Sequence, residues 1–190
     1  MAGPQTGSRF FRRPPLQAAA LFLLTLLAYL PALGRQEFVG TEDLRARIAG
    51  EMLDSGGWAV PRFYGRPILT KPPLAYWALA ATFSLTGSRG PAQARLVSVA
   101  ALAGIVMLLG MAGRAAGGAR AGWLAGLGYL LTLNTVKNGV NAEIDPLFSF
   151  FVVAGVLAWW RTHDPAARRP GAWALASGLA MGLAAATKGP

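Results

Sequence analysis

The chain has 190 residues, no cysteine, 54% hydrophobic residues, only 14% charged ones and a formal net charge of +10. The absence of thiols excludes a disulfide framework and a thiolate metal site, and a charged fraction well below the usual quarter argues against an ordinary soluble domain. A nucleic-acid partner is not the reading of the basic charge, because the arginines follow the topology expected of a membrane protein.

Residues 1–15 form a short tail containing Arg9, Arg12 and Arg13. The block at 16–34 carries no charge and is long enough for a hydrocarbon core of roughly 30 Å at about 1.5 Å per residue. A signal peptide cut near "PALG" is the competing reading, but the apolar part is long for one and further spans follow, so a retained anchor is expected. A long outer segment occupies 35–95. Spans two to five then fall at 96–113, 121–136, 144–160 and 171–187, uncharged apart from Asp145 at the head of the fourth. Their glycines and alanines allow close helix approach. The expected fold is all-α: a polytopic transmembrane helical bundle whose long first outer loop carries short interfacial helices.

With the N-terminus placed in the cytoplasm, alternating spans gather Arg9, Arg12, Arg13, Arg114, Arg120, Arg161, Arg168 and Arg169 inside, offset only by Asp164. The other seven acids fall outside. "RAAGGARA" (114–121) reads as a tight inside turn made flexible by Gly117 and Gly118. "RTHDPAARRPG" (161–171) is the second inside loop, and His163 there is a solvated side chain rather than a ligand.

Within the outer segment, "VGTEDLRARIAGEMLDSGGW" predicts a helix. Thr41 is a suitable N-cap, Glu42 and Asp43 suit the positive end, and "SGGW" stops it. Leu44, Ile48, Met52 and Leu53 fall on one face, a pattern that fits a helix lying in the membrane interface and equally an ordinary amphipathic helix whose acids merely cap it. In "GRPILTKPPLAYW" the Pro72-Pro73 pair blocks a helix through Lys71 and holds that side chain in a fixed place. "LAYWALAATFSL" (74–85) is apolar, with Tyr76 and Trp77 at its start, and too short to span comfortably, so a partly embedded helix is expected.

The outer face therefore collects Glu42 with Asp43, Glu143 and Asp145, together with Lys71, Lys137, Lys188, Arg45, Arg62 and Arg66. Acids beside cations at a membrane interface suit a reaction on a lipid-linked phosphate. A cation holds the phosphate and stabilises it as a leaving group, and a carboxylate takes a proton from an attacking hydroxyl or holds a divalent metal. Asp145 precedes Pro146, a good first helical residue, so its carboxylate belongs at a helix N-terminus at the rim of the bilayer. A transporter would need charges inside the spans, which have none. A non-catalytic membrane scaffold or lipid-binding paralogue would keep the helices without the chemistry.

Four segments, in order, carry a resemblance: "TEDLRARIAGEMLDSGGWAVPRFYG", "KPPLAYW", "EIDPLFSFF" and "TKGP". Together they resemble the bacterial membrane glycosyltransferases of the dolichyl-phosphate-mannose protein mannosyltransferase type, of the GT-C fold class, which include the undecaprenyl-phosphate aminoarabinose transferases that modify lipid A. The resemblance runs from about Leu16 to Pro190. It implies a multi-pass protein of the bacterial plasma membrane that takes a sugar from a polyprenyl-phosphate donor at the outer face. The sugar passes to a lipid, protein or glycan acceptor with inversion at the anomeric carbon.

By that resemblance Glu42 or Asp43 is the catalytic acid of the first outer loop, and Asp145 matches the aspartate before the fourth span. Lys71 contacts the donor phosphate, with Lys188 and Arg45 as further cations. Three departures from the family pattern matter. A gap-free alignment from "EM" puts Thr41 where the family has aspartate and Glu42 where it has glutamate. Thr70 stands where some relatives have a metal-binding glutamate, so no metal site is carried over. The chain also stops inside the "TKGP" motif, which implies the N-terminal portion of a longer transferase.

Overall fold

A computed structural model describes residues 16–132, 135, 141–165 and 167–189. The basic tail, Lys137, most of the third span beyond Thr132 and Pro190 lie outside the described residues. Six α-helices are described: α1 (Leu16–Tyr29), α2 (Glu42–Ser55), α3 (Leu74–Thr86), α4 (Pro91–Leu130), α5 (Ile144–Thr162) and α6 (Pro170–Lys188). A two-residue antiparallel hairpin, β1 (Arg62–Phe63) and β2 (Arg66–Pro67), lies between α2 and α3. α1 gives way to a 3-10 turn, Leu30–Ala32, at Pro31, which has no N–H to continue the helix. α4 and α6 each begin with proline, whose missing donor costs nothing in a first turn.

At the "RAAGGARA" segment, α4 breaks into two arms, 91–116 and 119–130. Gly118 adopts φ 78°, in the left-handed region open to glycine. The arms then pack backbone to backbone. A Cβ on Gly113 would sit 2.6 Å from the carbonyl oxygen of Ala121, and one on Gly122 would sit 2.8 Å from that of Gly110. α1 lies against this hairpin, where fully buried Leu21 packs with Leu102, Val106 and Leu130. α5 and α6 form the next antiparallel pair, and Ser177 Oγ donates to the Gly155 carbonyl at 2.9 Å. Leu23, Leu27, Trp159, Leu175 and Leu179 remain exposed on the outside of this bundle, the arrangement a bilayer rather than water would stabilise. α4 and α5 are long and apolar enough to cross a membrane.

The second core joins α2 to α3: Ile48, Ala49 and Met52 pack with Tyr76, Leu79, Ala80 and Phe83. Burial contributes roughly 1.5–3 kcal/mol for each large side chain such as Ile48 or Phe83. Of the four residues that define the expected apolar face, Ile48 and Met52 are buried and Leu53 packs on the cluster, while Leu44 stays 36% exposed. That face is covered by α3 and not offered to lipid. Gly56 (φ 70°) ends α2 by donating to the Met52 carbonyl at 3.0 Å. Thr41 occupies the N-cap position, but its hydroxyl makes no cap; it donates to Glu143 Oε1 at 3.3 Å.

α3 spans about 20 Å at 1.5 Å per residue, too short for the hydrocarbon core. Both its flanks lie at one end of the bundle. Before it, Pro72 stands near Gly189, 3.7 Å from where a Cβ on that glycine would be. After it, Arg89 pairs with Asp54 at 2.6 Å, and Arg95 reaches Glu42. The opposite end is marked by Gln17, which donates to the Ala119 carbonyl at 2.7 Å and accepts from Arg114 at 3.1 Å. Both flanks of α3 thus lie at the end of the bundle that holds the Glu42–Arg95 pair.

Candidate active site at one end of the bundle

The centre of this end is an ion pair shut away from solvent. Glu42 is 0% exposed and Arg95 3%. Arg95 donates to Glu42 from Nε at 3.0 Å and from Nη2 at 2.7 Å, a bidentate fork. Its remaining donors reach the carbonyls of Leu33, Gln36 and Glu37 at 2.7–2.9 Å. Glu42 in turn accepts from the backbone N–H of Val39 at 2.8 Å and of Ala142 at 2.5 Å. One pair therefore binds the chain leaving α1, the start of α2, the first turns of α4 and the segment before α5. Burial alone would raise the Glu42 carboxyl, but the Arg95 guanidinium and the two amides outweigh it and hold the group below the usual carboxylate range. A carboxylate enclosed in this way has no lone pair open to an incoming hydroxyl.

A second pair braces the same elements. Arg45 meets Glu143 Oε2 at 2.7 Å and donates to the Ala142 carbonyl at 3.2 Å. The Glu143 carbonyl accepts from Ser98 of α4 at 3.2 Å. Arg45, expected as a phosphate cation, is thus occupied with Glu143.

Nearby lies a more open cluster. Lys188, the last residue of α6, donates from Nζ to Asp145 Oδ1 at 2.6 Å, and the ammonium also sits 5.7 Å from the Phe148 ring centroid. Both side chains of the pair are accessible to solvent. The following residue, Gly189, stands near Pro72, the neighbour of Lys71: a Cβ added to it would meet the proline ring at 3.7 Å. The "KPP", "EIDP" and "TKGP" segments, far apart in sequence, therefore converge. Among the described residues Lys71 has neither an ion-pair partner nor a hydrogen-bond partner, and it is only half-buried.

Asp43 faces the other way. Its carboxylate accepts from Arg47 Nε at 2.7 Å and lines a groove on the far side of α2. The structure brings Asp145, Lys188 and the Lys71 segment together, keeps Glu42 and Arg45 beneath them as bracing, and places Asp43 apart. Among the described residues no three histidine, aspartate or glutamate side chains converge, and Asp145 already carries an ammonium.

Arg95 is the group sequence reasoning missed. It looks like the end of the outer loop, but α4 starts earlier, at Pro91, and an arginine one turn inside an apolar helix is a sign that it needs a buried partner.

Residues 37–190 match the family model described as dolichyl-phosphate-mannose-protein mannosyltransferase. The chain is 31% identical over 172 residues to the undecaprenyl phosphate-α-4-amino-4-deoxy-L-arabinose arabinosyl transferase of Edwardsiella ictaluri, covering 90% of this chain and 31% of that protein. It is 30% identical over 177 residues to the protein of the same name from Pseudomonas savastanoi, covering 90% and 32%. Among solved structures it resembles ArnT from Cupriavidus metallidurans, both in the apo state and bound to undecaprenyl phosphate. Each superposes with a TM-score of 0.81 at 29% identity, over 90% of this chain and 32% of that one. The chain thus spans about a third of the length of these relatives.

Proposed function

The chain belongs to the dolichyl-phosphate-mannose-protein mannosyltransferase family, and on that premise we propose that it forms part of an integral-membrane glycosyltransferase that uses a polyprenyl-phosphate sugar. The observation that carries the reading is that the Lys71–Pro72 segment lies beside the end of α6 that carries the Lys188–Asp145 pair, at the end of the bundle that also holds most of the acids. Lys71 has an uncommitted ammonium on a stretch stiffened by two prolines, which is what holding a lipid phosphate at the bilayer rim requires.

In the reaction proposed, an acceptor hydroxyl attacks the anomeric carbon of the donor sugar and inverts it. The bond from that carbon to the phosphate oxygen breaks, and the polyprenyl phosphate leaves with the bonding electrons. Lys71, joined by Lys188, neutralises the charge that develops on the departing phosphate. The hydroxyl proton passes to a carboxylate. Asp145 is the accessible acid among the cations and takes that role here, with Asp43 as the second candidate. Glu42 acts through the Arg95 pair by fixing where α2 and the Ala142 segment stand.

The names of the relatives support an aminopentose on an undecaprenyl carrier as the donor, and the acceptor in this reading is a lipid, protein or glycan. The arginine distribution supports a bacterial inner membrane setting, with the N-terminus cytoplasmic and the site on the outer face. The test is transfer of labelled sugar from a synthetic undecaprenyl-phosphate donor by the full-length protein in proteoliposomes. Lys71→Ala is expected to lower turnover about a hundredfold or more while expression and helicity are unchanged. Wild-type turnover in that variant would overturn the assignment. Donor binding without any transfer by the wild type would favour a non-catalytic lipid-binding protein.

A further inference from the structure

The far side of α2 carries a groove of about 400 Å³, away from the Lys71 segment and the Lys188–Asp145 pair, whose only tie to the proposed reaction is Asp43, the second candidate for its base. Phe38, Asp43, Arg47, Asp54, Tyr64 and Arg89 line it. Its charged walls are already set. Arg89 grips Asp54 with two hydrogen bonds, at 2.8 and 2.6 Å, and Arg47 holds Asp43 at 2.7 Å. Gly50 contributes by its lack of a side chain, since a Cβ there would meet Arg89 Nη1 at 3.1 Å. The guanidinium therefore lies across the helix at a fixed height. Each arginine retains N–H groups beyond those it uses, and each carboxylate retains lone pairs.

At the groove's edge the β1–β2 turn is strained. Tyr64 has φ 51° and Gly65 φ 75°, so both residues of the two-residue turn are left-handed. Asn-Gly is the pair that adopts this turn without strain, and a bulky aromatic in the first position is unfavourable. Glu51 Oε1 accepts from the Gly65 N–H at 2.7 Å, and Arg62 donates to the Gly65 carbonyl at 2.9 Å, so the turn is pinned from two sides. The result is a tyrosine ring 73% exposed, braced edge-on by Phe63 with centroids 4.5 Å apart. Strain retained in a pinned turn, with an aromatic held out into solvent beside a polar groove, is the pattern of a ligand contact.

The chemistry of the walls narrows the ligand. Asp43, Glu51 and Asp54 outnumber Arg47 and Arg89, so the groove offers no net positive well to a phosphate. An apolar ligand would strip water from the spare donors and acceptors of these pairs and offer nothing in its place. A sugar ring suits both features: its hydroxyls satisfy fixed donors and acceptors, and its C–H face lies against an exposed aromatic. We propose that this groove is a saccharide-binding subsite, for a neutral or amino sugar, and that it receives the sugar rings of the acceptor. The second half of that statement rests on the transferase reading; the first does not.

The experiment uses full-length protein in detergent and a glucosamine disaccharide as probe, followed by saturation-transfer NMR titration, with the open-chain polyol sorbitol as the comparison ligand. Saturable binding of the disaccharide and none of sorbitol is expected. Tyr64→Asn should weaken binding about tenfold while leaving the melting temperature unchanged or higher, because asparagine relaxes the turn. Tyr64→Phe, which keeps the ring, should bind within about threefold of wild type. In the transfer assay Tyr64→Asn should raise the acceptor KM and leave the donor KM alone. No saturable disaccharide signal, wild-type affinity in Tyr64→Asn, or equal saturation by sorbitol would each overturn the subsite. Disaccharide binding that survives when the wild type shows no transfer at all would leave the subsite standing and remove only its acceptor role.

Discussion

Glu42→Ala removes the acceptor of four hydrogen bonds at once and leaves the Arg95 guanidinium, 3% exposed, without its counter-ion. Breaking a buried pair by deleting one partner costs about 3–5 kcal/mol, because the survivor stays desolvated. The Val39 and Ala142 amides also lose their acceptor, at roughly 1–3 kcal/mol each if they stay buried. These effects overlap, since relaxation that hydrates the arginine also hydrates the amides, so the expected total is about 4 kcal/mol. That is a large share of the 5–15 kcal/mol that ordinarily separates folded from unfolded chains.

Unfolding of the purified protein in micelles, followed by tryptophan fluorescence, measures the loss. Pairing Glu42→Leu with Arg95→Met gives the discriminating variant. Replacing the whole pair by apolar side chains should restore most of the stability that either single change loses, with a coupling energy of about 2 kcal/mol or more. Single variants within about 0.5 kcal/mol of wild type, or a double variant that is simply additive, would refute the bracing role of the pair.

The Lys188–Asp145 pair is solvent-accessible, so Lys188→Ala and Asp145→Asn should each change stability by less than about 1 kcal/mol yet reduce sugar transfer at least tenfold by the proteoliposome assay. Gly113→Leu drives a side chain into the Ala121 carbonyl, 2.6 Å from its Cβ, and should destabilise the α4 hairpin by about 1–3 kcal/mol, read as a lower midpoint in thermal unfolding. The depressed Glu42 carboxyl sets a pH dependence. Its contribution to stability is intact above the ordinary carboxylate pKa and declines as pH falls through the lowered folded value. Acid titration of unfolding midpoints should therefore show a shallower acid-side decline in Glu42→Gln than in the wild type.

Much of the helical frame was legible because uncharged blocks and glycine stops act locally. Gly56 ends α2 and Gly118 breaks α4, whereas the start of α4 at Pro91, ahead of the uncharged block at 96, was not read. The candidate site was legible as a set of residue types but not as an arrangement. The Lys71 segment comes beside the Lys188–Asp145 pair only because Gly189 stands near Pro72, a placement that no local pattern encodes. The sequence marks Glu42 as an acid at a helix start, a cap or a base by spacing, and only the approach of Arg95 from 53 positions away turns it into a buried strut. Thr41 shows the same limit, since its capping preference yields to a longer-range bond with Glu143. Tyr64 could not be read at all, because nothing in "RFYGRP" announces a left-handed tyrosine.

The most direct measurement of the central claim is the affinity of the full-length protein for undecaprenyl phosphate, by native mass spectrometry or calorimetry in micelles, for the wild type and Lys71→Ala. Loss of a charge-assisted contact to phosphate predicts binding weaker by about tenfold or more, with Lys71→Arg in between. Equal affinity in wild type and Lys71→Ala would contradict the claim that this cluster holds the lipid phosphate.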